Sequence, residues 1–239
     1  MSENSKGKKN IFLLGKNISK WKINSKYYTN YTDLEIIGGT KKLEKHNQIP
    51  RVLIRRTGDT LCCSYLNEKA LTESTLYSCW SINANLSTKV ILGFLNSRLL
   101  DYYNKELFIT NQQGFPQILM TDLELMPIKI PSKDFQRLFS NTIDIVLLQK
   151  SLDVDSSFFE RLIDAMVYEL YLSAEIKEGG AEVLKHLVNL PELKEGQDEK
   201  NLKTIEKVYK ELSDPKHPIS GALLKLLNIE EVNIIEGRV

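Results

Sequence analysis

The chain has 239 residues, 42% of them hydrophobic and 26% charged, and a formal net charge of +1. That is enough apolar material for a folded core; no run of about 18 apolar residues marks a membrane span, and residues 1–9 lack the apolar segment of a signal peptide. A cytoplasmic protein with no membrane partner is therefore expected. Its three cysteines, Cys62, Cys63 and Cys79, suit inert thiols in a reducing compartment better than a disulfide frame or a zinc site.

The near-neutral total conceals an asymmetry. Residues 1–56 hold 13 Lys+Arg against 4 Asp+Glu, and the remainder holds 19 against 27. A polyanion-binding face carried by an acidic body would produce such a split, although Lys6, Lys8 and Lys9 belong to the tail.

Residues 1–10 are polar and expected to be disordered. Residues 11–14 form a strand candidate, Gly15-Lys16-Asn17 a turn, and residues 18–21 the start of a helical turn. Arg51-Val-Leu-Ile-Arg-Arg-Thr-Gly-Asp-Thr-Leu-Cys-Cys-Ser-Tyr65 reads as a β-hairpin, with Gly58 free to take positive φ at the turn. Alternation along a strand sends Arg55 and Arg56 to opposite faces, so at most one is expected to be buried without a carboxylate.

Residues 76–82 are a further strand candidate, and a helix follows from about Thr88. Pro116, Pro127 and Pro131 predict loops with an edge strand between them. After that the pattern turns helical. Ser132 caps a stripe from Phe135 to Leu147, and Asp155 or Ser156 caps one from Phe159 to Tyr171. Helical spacing recurs over 183–188 and 202–212, and again briefly over 222–227 beyond the break at Asp214-Pro-Lys-His-Pro218, with residues 232–235 expected to be extended.

The parts of an enzyme are missing. Gly38-Gly39-Thr40-Lys41-Lys42 has neither the spacing nor the preceding strand of a phosphate loop and reads as a turn on the basic face. His46, His186 and His217 are far apart in sequence and lack a serine or cysteine elbow. The pairs Asp122 with Glu124 and Glu230 with Glu231 fall on loops or solvated faces, not in a metal site. No catalytic, cofactor-binding or metal-binding residue is assigned.

Nucleic-acid chemistry is better represented. Lys16, Lys20, Trp21, Lys22, Lys26, Tyr27, Tyr28 and Tyr31 interleave cations with aromatics, which suits phosphate contact and packing on sugars or splayed bases, or equally a core bordered by solvated lysines. Asn111-Gln112-Gln113-Gly114 adds amides that can bond adenine bidentately.

Five segments in order, Gly15-Lys-Asn-Ile18, Arg51-Val-Leu-Ile-Arg-Arg-Thr-Gly-Asp59, Leu92-Gly-Phe-Leu-Asn-Ser-Arg-Leu-Leu100, Thr110-Asn-Gln-Gln-Gly-Phe-Pro-Gln-Ile118 and Leu125-Met-Pro-Ile-Lys-Ile130, resemble the TaqI-like C-terminal specificity domain. That domain is the target-recognition part of N6-adenine DNA methyltransferases and of fused restriction-modification enzymes. The segments after Phe159 and Glu206 look like the C-terminal extension of such enzymes. The resemblance implies an α+β fold: a mixed α/β target-recognition domain with short strands and hairpins over residues 11–131, then a mainly helical C-terminal extension over 132–239.

What the family implies for function is recognition of double-stranded DNA beside a catalytic domain that moves a methyl group from S-adenosylmethionine to a flipped adenine. This chain has no Asn-Pro-Pro-Tyr or Asp-Pro-Pro-Tyr motif, no glycine-rich cofactor strand and no nuclease motif. It is thus expected to be non-catalytic by itself and to bind no cofactor, S-adenosylmethionine being implied for the missing catalytic domain. A methyltransferase catalytic domain or subunit is the expected partner. The helical tail would pack on that partner, on itself, or on a second copy as a homodimer.

Phosphate positioning is assigned to the lysines Lys16, Lys20, Lys22, Lys41 and Lys42 and to one hairpin arginine; base reading is assigned to Arg55 or Arg56 and to Asn111, Gln112 or Gln113. These assignments rest on side-chain chemistry. The rival expectation is a protein-interaction subunit that docks on a methyltransferase or translocase through its helical tail.

Overall fold

The computed structural model describes residues 7, 9–33, 42–108, 116–188 and 190–238. The chain divides into two compact units, one of Met1–Asn96 with Tyr103–Ile128 and the other of Ser97–Tyr102 with Lys129–Val239. The fold is α+β with a helical C-terminal part, as expected.

The first unit carries the strands β1 (Asn10–Leu13), β2 (Ile18–Ser19), β3 (Lys22–Ile23), β4 (Tyr27–Thr29), β5 (Arg51–Arg55), β6 (Cys63–Leu66), β7 (Ala70–Thr72) and β8 (Leu76–Cys79), together with the short helix α1 (Leu43–His46). They form small sheets in the orders β4-β1-β7, β2-β3 and β6-β5-β8. The expected hairpin is β5 with β6, antiparallel with Ile54 opposite Cys63, and β8 pairs the other edge of β5 with Arg55 opposite Leu76. Central position explains the β5 sequence. A strand covered on both faces needs an unbroken apolar run, and Val52, Leu53 and Ile54 are all at most 2% exposed. Leu13, Ile18, Leu53, Leu66, Ala70 and Leu76 make one core cluster, with Ile11 and Ile23 against it.

Residues 18–21 are not the helical turn that spacing suggested. They form the β2–β3 hairpin, in which Trp21 takes a φ of 71°. The β-branched Ile18 favours extended backbone, and Trp21 offsets its strain by being buried to 3% exposure and donating its backbone N–H to the Cys63 carbonyl at 2.8 Å.

Helix α2 (Thr88–Leu95) starts at Ser87, whose hydroxyl accepts from Lys89 N, and it lies against β5 and β6 with every residue except Lys89 buried. Asn96 and Ser97 end it, and α3 (Arg98–Leu107) follows. The edge strand predicted between Pro116 and Pro127 is absent. That stretch contains α4 (Met120–Glu124), preceded by the extended residue Leu119, and an isolated antiparallel bridge between Thr57 and Gln117.

The second unit is built on α5 (Lys133–Ser151) and α6 (Ser157–Tyr171), packed on each other. Ser132 caps α5 as predicted, accepting from Phe135 N at 3.2 Å. At the start of α6 the capping carboxylate is Asp155, which accepts from Ser157 N at 3.1 Å, while the Ser156 hydroxyl bonds the Glu160 carboxylate instead. The predicted stripe on α6 is the core: Phe159, Leu162, Ile163, Met166 and Val167 are at most 1% exposed. Helices α7 (Ser173–Glu178), α8 (Asp198–Leu212), α9 (Pro218–Lys225) and α10 (Glu230–Ile235) complete the unit.

Two predictions fail here. Residues 183–188 yield just a 3₁₀ turn at Leu184–His186, because the half-buried Glu169 accepts the backbone N–H of Val183 and Leu184 and so fixes the chain at that point. Residues 232–235 are helical, not extended; Glu230 and Glu231 open α10, where carboxylates favour a helix N-terminus. The two carboxylate pairs sit on helices, Asp122 with Glu124 on α4 and Glu230 with Glu231 on α10. Among the described residues no group of three or more His, Cys, Asp or Glu could hold a metal ion, and no helix is long and apolar enough to cross a membrane.

Candidate nucleic-acid interface

The buried arginine of the hairpin is Arg51, neither Arg55 nor Arg56. It is fully buried, donating to the carbonyl of Lys45 at 2.8 Å and to that of Ala70. Burial pulls its guanidinium down to about 10, which still leaves it charged at neutral pH. Among the described residues its Nε has no partner. Arg51 therefore ties β5 to the strand edge at β7 and cannot touch a polyanion. The reason lies in register: Arg51 begins a strand whose ends differ, and its long side chain can reach two carbonyls that no shorter donor would satisfy.

Arg55 and Arg56 stand at the other end of β5, both partly exposed. Arg55 Nε donates to the Thr57 carbonyl at 3.1 Å, closing the turn in which Gly58 takes a φ of 123°. Its charge acts on two neighbours. Burial pushes the Cys62 thiol up, against the pull of Arg55 and Lys20. Asp59 is held below the ordinary carboxylate range first by its bond from the Thr60 hydroxyl, with Lys105 and Arg55 adding to the effect. Arg55 thus acts on both residues, together with Lys105 at Asp59 in the turn and with Lys20 at Cys62 just before β6.

Thr75 extends this set. Its Oγ1 accepts from Gly15 N at 2.8 Å and its carbonyl accepts from Arg56 N at 2.9 Å, so the turn carrying Lys16 is joined to the end of β5 through a single residue. Thr75 is itself held by the Glu73 carboxylate. A Cβ on Gly15 would lie 3.2 to 3.3 Å from Thr75, a close approach that favours glycine at this position.

The remaining assigned lysines are spread out. Lys22 is on β3, and its backbone carbonyl lies 2.9 Å from the Ser64 hydroxyl. Lys42 precedes α1, which adjoins the Arg51 end of β5 through Lys45. Lys41, Asn111, Gln112 and Gln113 lie outside the described residues, as do residues 38–40 of the glycine turn.

The aromatic interleaving serves structure first. Trp21 is in the core, Lys16 sits 5.2 Å from the Tyr27 ring centroid, and Lys26 pairs with Glu68. Lys105 was missed by sequence reasoning because nothing local links it to the hairpin; its proximity arises from the chain returning along α3. Gln117 was also missed. No local pattern marks it, yet it pairs with Thr57 and its side chain meets Arg56.

A comparison with family models matches residues 10–128 to the TaqI-like C-terminal specificity domain. No curated protein matches the chain. The matched span holds the hairpin, the β2–β3 arm and the Thr57–Gln117 bridge, and with them Lys16, Lys20, Arg55, Arg56 and Lys105. Through residues 10–128 the chain belongs to the TaqI-like C-terminal specificity domain family, the DNA target-recognition module of restriction-modification systems.

Proposed function

We propose that this chain is a sequence-specific reader of double-stranded DNA that works with an adenine-specific methyltransferase catalytic domain, joined to it or supplied as a separate subunit. The observation that carries the reading is the family match over residues 10–128, within which Arg55 and Arg56 stand partly exposed at the turn end of β5 while Lys105 acts on Asp59 and Lys20 on Cys62. The phosphate backbone supplies most of the affinity in such a complex, and positioning contacts come from cations like these. The chain itself performs no methyl transfer: S-adenosylmethionine supplies the methyl group on the catalytic partner, and the residues here bind and orient the duplex.

Salt-dependent binding of the 239-residue chain to duplex DNA tests this. Affinity should fall steeply with salt, and replacing both Lys20 and Lys22 by alanine should flatten the slope, by about 1 for each phosphate that is no longer neutralised. Binding no stronger than that of an acidic control protein at low salt would refute the reading.

A second reading is favoured by the surface of the helical unit, where Leu224, Leu227 and Ile234 are exposed by 58%, 42% and 42%. That surface suits docking on a methyltransferase or translocase subunit, or a second copy. A protein that used this unit alone would lose its partner on substitution of Leu224 and Leu227 by serine, with DNA binding unchanged.

A further inference from the structure

Arg56 Nη2 donates to Gln117 Oε1 at 3.2 Å, at the surface. A guanidinium has no acceptor, so the amide oxygen must be the atom that faces it, which fixes the orientation of the Gln117 amide. One lone pair of the Gln117 oxygen is thereby engaged, and the Nε2 of this exposed side chain carries two donors. Arg56 contributes its remaining Nη hydrogens, its Nε being buried and out of reach of a ligand. The pair carries more donors than acceptors.

The pair is also held by its backbone. Arg56 N donates to Thr75 O at 2.9 Å, Ile118 N to Arg56 O at 2.8 Å and Gly58 N to Pro116 O at 3.0 Å, around the Thr57–Gln117 bridge and the buried Ile118. Two side chains whose backbones are tied together across an isolated bridge lose less freedom on binding than side chains of a free loop, which is what a base-reading group needs.

Each base offers a different edge in the major groove. Guanine presents two acceptors, N7 and O6; adenine presents an acceptor beside a donor; cytosine presents a donor. A glutamine that reads adenine uses its oxygen and nitrogen together; here the Gln117 oxygen already accepts from Arg56, whose other N–H groups stand beside it, so the pair offers more donors than acceptors, which matches the two acceptors of guanine. We propose that Arg56 and Gln117 act as one donor pair that reads a guanine in the DNA target. This rests on the DNA-recognition reading and adds to it a base and the residues that specify it.

The test is selection of the full chain on randomised duplexes, followed by salt titration on the recovered sequence. A position fixed as G·C is expected for the wild type. Gln117→Ala should relax that position about tenfold or more and leave the others, and the salt slope, unchanged. Gln117→Glu replaces the outward donors by an acceptor and should move the preference towards C. An unchanged motif in Gln117→Ala, a relaxed position that is A·T, or a uniform loss of affinity with a smaller salt slope would overturn the pair as a base reader while leaving DNA binding intact. Failure of the wild type to bind any duplex would overturn both readings. Thermal melts of Gln117→Ala should match the wild type, since its side chain is exposed.

Discussion

The Asn96 side chain hydrogen-bonds both backbone groups of Cys63: its Oδ1 accepts from Cys63 N at 3.1 Å and its Nδ2 donates to Cys63 O at 3.0 Å. An amide can imitate a neighbouring strand in this way, and here it satisfies a buried edge of β6 from the end of α2. The Cys63 carbonyl also accepts from Trp21 N, so one residue links helix, hairpin and arm. Asn96→Ala should therefore destabilise the chain by about 1 to 3 kcal/mol, since the buried Cys63 N–H loses its Asn96 acceptor while the carbonyl keeps Trp21 N. Urea unfolding would measure it. A change below about 0.5 kcal/mol, less than one ordinary hydrogen bond, would contradict this account of Asn96.

Arg51→Ala should cost about 3 to 5 kcal/mol, because the Lys45 and Ala70 carbonyls are left without donors and a cavity opens beside β5. Arg51→Lys should fall between, as an ammonium lacks the fork that meets two carbonyls at once. Neither variant should change the salt slope of DNA binding, in contrast to Arg55→Ala.

Lys105→Ala should lower that slope by about 1 if Lys105 meets a phosphate beside Arg55. Its neighbour Asp59 offers the converse: Asp59→Asn removes a carboxylate placed among these cations and should strengthen non-specific binding at low salt. Fluorescence anisotropy on a fixed duplex would read both.

Gly15→Ala should destabilise by about 1 to 3 kcal/mol, because the new Cβ presses on Thr75, including its backbone oxygen at 3.3 Å. Since Thr75 holds Arg56 N, the same variant should weaken DNA binding beyond its effect on stability. Equal DNA affinity in the two proteins would show that the Thr75 link is not used.

Glu169 supplies a pH dependence. Its carboxyl is raised above 4.5, chiefly by desolvation, while the unfolded chain titrates near the ordinary value. Between those values the folded state binds more protons than the unfolded one, so this residue makes stability fall as pH rises through the window. Gln keeps an oxygen for the Val183 and Leu184 N–H groups, so Glu169→Gln should remove that fall. The comparison is of urea midpoints for the two proteins across the acid range.

Local pattern was enough for much of this molecule. The apolar run broken at Thr57-Gly58-Asp59 determined the β5–β6 hairpin, and 3.6-residue spacing determined α5, α6 and α8, because those periods express burial of one face and are written in adjacent residues. The ordered segments from Gly15 to Ile130 likewise determined the family. Tertiary structure decided what short spacing cannot encode. It put Ile18 and Trp21 in a hairpin by burying the indole, buried Arg51 in place of either turn arginine, and drew Lys105 and Gln117 to the turn from about 46 and 58 residues away in the sequence. Which arginine is exposed depends on carbonyls that other segments offer, and which amide oxygen is occupied depends on a bond across the fold.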